Sequence, residues 1–179
     1  MVAVLTVALA CFALGVWQPF SPYELEEQID VKGNSTSGLF NPATEDFEGQ
    51  VHILFANGEV YDGGLEGHRF NGTGTFCGVL SSEDTAVEGQ AVPWRFEGTF
   101  INGRLEGEGS YSDHLGSYVG NFSNSLPSGY GVYTSLSGWS YDGEFVAGMM
   151  TGKGTVVMPN GTTITGTFLD GVQAKEEQG

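Results

Sequence analysis

This chain has few positively charged side chains. Its 179 residues include 6 Lys and Arg against 22 Asp and Glu, which gives a formal net charge of −16 at pH 7. The basic residues stand apart from one another, at Lys32, Arg69, Arg95, Arg104, Lys153 and Lys175. Because phosphate backbones are bound by clusters of basic side chains, we predict no nucleic-acid partner. Docking onto anionic lipid headgroups is disfavoured for the same reason.

Residues that carry chemistry are also sparse. The two cysteines, Cys11 and Cys77, form no C-x-x-C pair, and we predict two unpaired thiols. The three histidines (His52, His68, His114) lack the spacing of a metal site. No G-x-S-x-G sequence occurs, and carboxylates alternate with glycines as on a solvated strand face. We therefore predict no enzyme activity, no catalytic residue, no metal and no cofactor.

The first twenty residues are almost wholly apolar and carry no charge. As a helix, residues 2–20 would cover ~28 Å, close to the ~30 Å hydrocarbon core of a membrane. We predict that residues 1–20 form a transmembrane anchor or an uncleaved signal, which makes the protein single-pass. One alternative is a secretory signal removed near Gly15, because Ala13 and Gly15 offer the small side chains of a cleavage site. The other alternative is a buried helix of a globular body.

A break separates this segment from a second predicted helix. In the stretch SPYELEEQ, Ser21 is placed as an N-cap, Pro22 at the first helical position and Glu24 where it completes a capping box. We predict that residues 21–46 hold a short acidic helix and a linker. At the other end of the chain, residues 172–179 are expected to form an acidic tail.

Four Asn-x-Ser/Thr sequences match the N-glycosylation acceptor pattern, at Asn34, Asn71, Asn121 and Asn160. Two of the four are also Asn-Gly pairs, which hairpin turns favour for their own reasons. Neither flank of the apolar segment carries the Lys or Arg that sets membrane orientation. With the sequons as the only indicator, we expect the body on the lumenal, intermembrane-space or extracellular side.

A unit of 22 or 23 residues recurs through the rest of the chain. Its leading residues are Phe96, Tyr118 and Tyr141, preceded by Tyr61 at a longer step and followed by a half unit from Ile164. Alternation at period two puts the aromatics and glycines of a strand on one face and its acids on the other. Since glycine has no Cβ, a ring from a neighbouring strand can lie over it.

Each unit is therefore predicted to be a β-hairpin. A glycine such as Gly148 supplies the positive φ of the tight turn. Before the first regular unit, residues 47–55 are predicted to form a further, degenerate strand. The longer step contains an insertion at residues 77–94, which we interpret as a solvated hairpin loop, with a partner-contacting loop as the alternative.

The pattern Y-x-G-x-F-x-x-G-x-x-x-G-x-G resembles the MORN (membrane occupation and recognition nexus) repeat. Four units match it, with Leu65 in place of an aromatic and His68 and Ser125 in place of the turn glycine. The resemblance implies an all-β fold: an elongated single-layer antiparallel sheet of consecutive hairpins over residues 47–171, with an aromatic-lined groove. It also implies a scaffold, a dimerisation module or a membrane-associated connector rather than an enzyme.

The aromatic face is the predicted partner-binding surface, because a single-layer sheet covers one face incompletely. An exposed ring offers roughly 150–250 Å² of apolar surface to a partner. The candidate residues are Tyr61, Phe96, Phe100, Tyr118, Phe122, Tyr141, Phe145 and Phe168. The alternative is that neighbouring rings and glycines fill one another and leave only a shallow groove.

These features together predict a non-catalytic, membrane-anchored scaffold. We expect an accessory or assembly subunit that binds other protein subunits of a larger membrane complex and touches the membrane through residues 2–20. Two alternatives stay open. One is a secreted or lumenal protein-recognition module released by signal cleavage, and the other is a lipid-associated connector of the MORN type.

Overall fold

The computed structural model describes residues 24–80 and 92–174, and the regular structure in these two ranges is entirely β. Thirteen strands form one antiparallel sheet in which each strand pairs with its neighbours in sequence. The all-β class and the single antiparallel sheet are thus confirmed. The strands are β1 (Glu24–Ile29), β2 (Ser35–Asn41), β3 (Asp46–Leu54), β4 (Val60–Glu66), β5 (Arg69–Leu80), β6 (Val92–Ile101), β7 (Arg104–Ser112), β8 (Gly116–Ser123), β9 (Leu126–Ser135), β10 (Ser140–Val146), β11 (Met149–Val157), β12 (Thr163–Leu169) and β13 (Val172–Gln173).

The strands within a repeat unit are joined by two-residue turns in which both φ angles are positive. In the β10–β11 turn, Ala147 has φ 49° and Gly148 has φ 87°. Two positive φ angles define the type I′ turn, whose twist matches that of the flanking strands. The predicted role of Gly148 is confirmed. His68 and Ser125 adopt φ of 59° and 63° although they are not glycine.

A second kind of connection is longer and repeats one geometry. In four cases the first residue donates its N–H to the carbonyl of the fifth, at 2.8–2.9 Å, and the fourth residue is a glycine: these are residues 30–34, 55–59, 135–139 and 158–162. The β7–β8 connection is one residue shorter, with the Asp113 N–H bonded to the Gly116 carbonyl at 2.9 Å. This shorter loop keeps Asp113 close to the strands.

The core lies on one face of the sheet. Eight of its buried members are aromatic and four are aliphatic: Phe47, Val51, Ile53, Tyr61, Leu65, Phe100, Leu105, Tyr118, Phe122, Tyr141, Phe145 and Phe168. The other face carries polar and acidic side chains between exposed valines, such as Val119 and Val132. The core is therefore formed by side chains on one face of a single sheet, which pack against one another.

The short acidic helix predicted from Ser21 is wrong within the described residues, because Glu24–Ile29 is strand β1. This strand pairs along its whole length with β2, from Glu24 opposite Phe40 to Ile29 opposite Ser35. A helix of two turns is marginal in water, whereas pairing satisfies backbone groups that the edge of β2 would leave open. The sheet consequently begins before residue 47.

Two further expectations differ from the structure. The ends of the insertion at residues 77–94 are paired strand rather than loop, from Cys77 opposite Arg95 to Leu80 opposite Val92. Its middle, residues 81–91, lies outside the described residues. At the C-terminal end, Val172–Gln173 is strand β13 and not part of a tail.

The predicted transmembrane segment, residues 1–20, also lies outside the described residues. Within residues 24–80 and 92–174, no helix has the length and apolar character needed to cross a membrane.

Candidate functional site

A row of glycines runs across nine consecutive strands at the centre of the core face. Each glycine is the direct cross-strand partner of the next: Gly63, Gly74, Gly98, Gly109, Gly120, Gly131, Gly143, Gly154 and Gly166. Directly opposite residues in an antiparallel sheet are only ~4.5–5.5 Å apart. The row, which we call the glycine strip, is therefore a continuous band of backbone without side chains from β4 to β12.

Three tyrosine rings lie on the glycine strip. The hydroxyls of Tyr61, Tyr118 and Tyr141 each donate to the carbonyl three residues on, at 2.8, 2.9 and 3.1 Å. A Cβ built on Gly74 would lie 2.7 Å from the Tyr61 hydroxyl oxygen, far inside van der Waals contact. The predicted reason for the glycines, space for neighbouring rings, is confirmed.

The candidate residues predicted from the sequence are mostly buried in the chain itself. Seven of the eight are 0–4 % exposed, and only Phe96 is half-buried. Each tyrosine is covered by the phenylalanine of the next unit, edge to face: Tyr61 by Phe100 at 5.4 Å, Tyr118 by Phe145 at 4.9 Å, Tyr141 by Phe168 at 5.2 Å. Most of their surface already serves packing, and contact with a partner stays a prediction.

Phe96 departs from the pattern of the tyrosines because it has no hydroxyl to donate. Leu105 occupies the space over the glycine strip instead, 2.9 Å from a Cβ built on Gly98. The Phe96 ring packs between Trp94 and Tyr111, with centroid distances of 5.9 and 4.4 Å. It is therefore less deeply buried than the leading rings of the other units.

The accessible part of the aromatic face comes from residues that sequence reasoning did not select. They are half-buried rings on the same face: Phe40, Phe55, Phe70, Phe76, Trp94, Tyr111, Tyr133 and Trp139. A signal for three of them was present, since Phe76, Tyr111 and Tyr133 each follow the Gly-x-Gly of a unit. The register places these three directly opposite a leading ring.

A cleft of about 390 Å³ opens in this face between β7 and β9. Tyr111 and Tyr133 are both cross-strand partners of Tyr118, which lies low between them. Asp113 lines one end of the cleft, and Pro127 lines the other. The rings of two different units thus form the walls of a single cleft.

A second depression of about 340 Å³ continues the cleft towards the C-terminal end of the sheet. It shares Tyr133, Phe145 and Gly148 with the cleft and extends past Trp139 to Asp170. We call the two together the aromatic groove. The groove therefore runs from the unit led by Phe96, across the unit led by Tyr118, to the unit led by Tyr141, and it reaches Asp170 in the half unit.

At one end of the aromatic groove, the Asp113 side chain supplies a negative charge. The Asp113 carboxylate accepts hydrogen bonds from the Tyr111 hydroxyl at 2.8 Å and from the N–H groups of Leu115 and Gly116 at 2.7 and 3.1 Å. Burial, and next the hydrogen bond to Asp113, raise the pKa of the Tyr111 hydroxyl. Burial and the charge of Asp113 raise the pKa of Tyr133 as well. The tyrosines stay neutral, so the carboxylate dominates the local potential.

The described residues show no constellation for metal binding: no group of three or more His, Cys, Asp or Glu side chains lies close enough to hold an ion. Cys77 is a half-buried free thiol, and Cys11 lies outside the described residues. In the described part of the chain Arg95 forms an ion pair with Glu97, and the His52 and His68 rings lie within hydrogen-bond distance of Asp62 and Asp46.

The four candidate glycosylation sites differ in how their side chains are used. The amide nitrogens of Asn34, Asn71 and Asn121 already donate hydrogen bonds within the chain. Asn160 is exposed, and its side-chain oxygen accepts the Thr162 N–H at 2.9 Å. Because glycosylation modifies the amide nitrogen, Asn160 presents the most accessible acceptor. Use of all four sites stays a prediction.

The fold and groove define a repeat protein built from consecutive hairpins around a glycine strip. Comparison with protein families finds MORN repeats at residues 96–114, 118–140 and 141–163. These matches begin at the leading residues Phe96, Tyr118 and Tyr141, so the chain contains three MORN repeats. The hairpin led by Tyr61, outside these matches, seats its ring on the glycine strip in the same way.

Comparison with curated proteins gave no match. Among solved structures, the chain is similar to the TCP domain of SAS-4 of Drosophila melanogaster in complex with a proline-rich motif of Ana2. The identity is 11%, 87% of this chain and 95% of that chain are covered, and the TM-score is 0.27. A TM-score this low does not establish that the two chains share a fold.

Proposed function

We propose that this protein is a non-catalytic scaffold that holds a segment of a partner protein in the aromatic groove. The observation that carries the proposal is the continuity of the groove over residues of all three matched MORN repeats, from Asp113 to Asp170 just beyond the third. Half-buried Tyr133 and Trp139 retain apolar area that a partner segment can cover. Aromatic side chains of this kind dominate the energy of protein interfaces.

The charge of the chain favours a protein partner over a lipid headgroup. A net charge of −16 repels anionic membrane surfaces, and each end of the groove carries an aspartate, Asp113 and Asp170. Complementary charges raise association rates and suppress wrong partners. A neutral or basic protein segment therefore fits the groove better than a phosphate group.

The proposal includes attachment to a membrane through residues 2–20. The apolar sequence of this segment supports it, since its length as a helix suits a bilayer core. In this arrangement the protein is an accessory or assembly subunit of a larger membrane complex. The body lies on the lumenal, intermembrane-space or extracellular side, where the partner segment is presented.

Site-specific cross-linking in native membranes tests the partner contact. A photoreactive phenylalanine analogue replaces Tyr133 in the groove or, as a matched control, Tyr130, an exposed tyrosine on the opposite face of β9. We expect a defined cross-linked protein from position 133 and none from position 130. Equal products from both positions, or a chain that purifies alone and monomeric from detergent, would contradict the proposal.

Membrane attachment and topology need a separate experiment. Alkaline carbonate extraction of the full chain should leave it in the membrane pellet, and N-terminal sequencing should find residues 1–20 still present. On a lumenal or extracellular side in a glycosylating cell, Asn160→Gln should remove an endoglycosidase-sensitive mobility shift. A mature chain that begins near Gly15 would instead support release by signal cleavage.

A further inference from the structure

Tyr111 and Tyr133 line the cleft from the two strands that flank Tyr118. Strands β7 and β9 are two strand spacings apart, ~10 Å. Tyr118, on the strand between them, lies down on the glycine strip and is 1 % exposed. Phe122 and Phe145 cover its ring edge to face, at 5.1 and 4.9 Å, and the space of the cleft lies beside them, lined by Tyr111 and Tyr133.

The hairpin led by Tyr61 shows how the same space is closed elsewhere. There Phe70 stacks on Tyr61, with a centroid distance of 3.6 Å and an interplanar angle of 6°. Phe70 is the cross-strand partner of Leu65, and the residue at the same place in the Tyr118 hairpin is Pro127. Proline has no aromatic ring that could stack on Tyr118, so the space that Phe70 fills in the Tyr61 hairpin forms part of the cleft.

A carboxylate stands at the end of the open space. Asp113 is half-buried, and its Oδ2 accepts a hydrogen bond from the Tyr111 hydroxyl. A carboxylate oxygen has capacity for a second donor. The ion pairs seen in the described part of the chain do not involve Asp113. The cleft thus combines two tyrosine side chains with a negative charge that no described basic side chain neutralises.

We propose that this cleft binds the guanidinium group of an arginine carried by the partner segment. A planar cation midway between the rings would lie ~5 Å from each, within the ~6 Å over which ring faces attract cations. Its N–H groups would donate to Asp113, as guanidinium does to carboxylates. This inference rests on the proposed function and names the chemistry that the groove recognises.

The test uses small probes on the full chain, labelled with 3-fluorotyrosine and held in phosphatidylcholine nanodiscs. N-acetyl-arginine methylamide is titrated against N-acetyl-norleucine methylamide, which has an apolar stem without the charge. Fluorine resonances of Tyr111 and Tyr133 should shift with the arginine probe, and that of Tyr61 should not. We expect the arginine probe to bind about fivefold more tightly than the norleucine probe.

Two matched variants distinguish the effect of the Asp113 carboxylate from that of the overall negative charge of the chain. Asp113→Asn keeps an oxygen for the Leu115 and Gly116 N–H groups and should abolish the fivefold preference. Asp170→Asn, at the other end of the aromatic groove, should leave it unchanged.

Two outcomes would overturn the arginine inference. One is equal binding of both probes, which would leave an apolar groove intact for the proposed function. The other is failure of the arginine probe to shift the resonance of either groove tyrosine. The cross-linking experiment at Tyr133 tests the proposed function separately, whichever of these two outcomes is found.

Discussion

The three buried tyrosines combine one hydrogen bond with one pair of glycines. The hydroxyl of each ring fixes its tilt by bonding the carbonyl three residues on, and the glycines beneath leave the ring its space. Phe96 occupies the same position in its unit without a hydroxyl and is packed differently. The leading tyrosines, which donate this hydrogen bond, therefore lie on the glycine strip. Phe96, which has no hydroxyl to donate, does not.

A first prediction concerns the space above the glycine strip. Gly131→Ala would place a Cβ against the hydroxyl end of the Tyr118 ring, far inside van der Waals contact, and the ring cannot move without losing its hydrogen bond. We expect a loss of about 3 kcal/mol in the free energy of unfolding, measured by denaturant titration. Gly166→Ala is the control, because its Cβ would meet only the flexible end of Gln173. Equal losses at the two positions would show that space for the ring is not the cause.

A second prediction concerns alkaline pH. Burial raises the pKa of Tyr61 to about 12, above the ~10 of a free tyrosine. Because the folded pKa is the higher one, this contribution to stability is complete below pH ~10 and is lost as pH rises towards ~12. Unfolding free energies should fall over that window, and Tyr61→Phe should make the fall shallower. A Tyr61 that ionises near pH ~10 in the folded chain, seen by tyrosinate absorbance, would contradict this reasoning.

At the scale of single elements, the hairpin turns show how far the repeat tolerates variation. The first turn position is Asn102, Asn124 or Asp170 in three hairpins, with φ of 49–53°. These residue types accept left-handed geometry better than others. Ala147 holds the same conformation in the β10–β11 turn with φ 49° and no such advantage.

A third prediction follows for that turn. Ala147→Asn should raise the free energy of unfolding by about 0.5–1 kcal/mol, because asparagine relieves left-handed strain and gives the preferred Asn-Gly turn. Gly148→Ala should lower it by about 1 kcal/mol, since Gly148 has φ 87° although there is room around it for a methyl group. Thermal and chemical denaturation measure both. Stabilisation by Gly148→Ala would mean that the turn relaxes out of its observed conformation.

Strand β1 shows where element prediction fails. Capping residues at Ser21 to Glu24 favoured a helix, yet the chain from Glu24 pairs with β2. A signal for the hairpin was present in Asp30-Val-Lys-Gly-Asn34. There the Asp30 carboxylate accepts the N–H groups of Asn34 and Lys32 at 3.0 and 2.7 Å, and these hydrogen bonds lower its pKa.

For the whole molecule, charge is the dominant long-range term. Acidic side chains outnumber basic ones by 22 to 6, and the sheet spreads them over a single layer with little to neutralise them. Repulsion between like charges destabilises the folded chain, and salt screens it. Exposed ion pairs contribute little to the free energy of unfolding, so their screening by salt should cost little stability.

A fourth prediction tests this balance. Raising NaCl from ~0.01 to ~0.5 M shortens the screening length several-fold and should raise Tm by about 2–5 °C, measured by circular dichroism. The variant Glu108→Gln leaves the Arg95–Glu97 ion pair in place, removes one charge from the polar face and should respond less to salt. A Tm that falls with salt would indicate that attractive ion pairs outweigh the net repulsion.

The sheet also closes differently at its two ends. At the C-terminal end, β13 has only two residues, and the Gln173 side chain lies beside Gly166, where earlier units place a ring. The half unit seen in the sequence thus ends the glycine strip with a polar side chain. At the N-terminal end, the acidic strand β1 lies outside the repeats.

The sequence by itself determined the hairpins, their single antiparallel sheet and the use of glycine beneath aromatic rings. Local periodicity and turn residues carry that information, because alternation and positive φ are properties of a few consecutive residues. Only the tertiary structure decided which rings remain accessible. Burial of Tyr118 depends on Phe145 from the next unit, and the open cleft depends on Pro127 at the place of Phe70. Such differences arise from contacts across strands, which spacing along the chain does not specify.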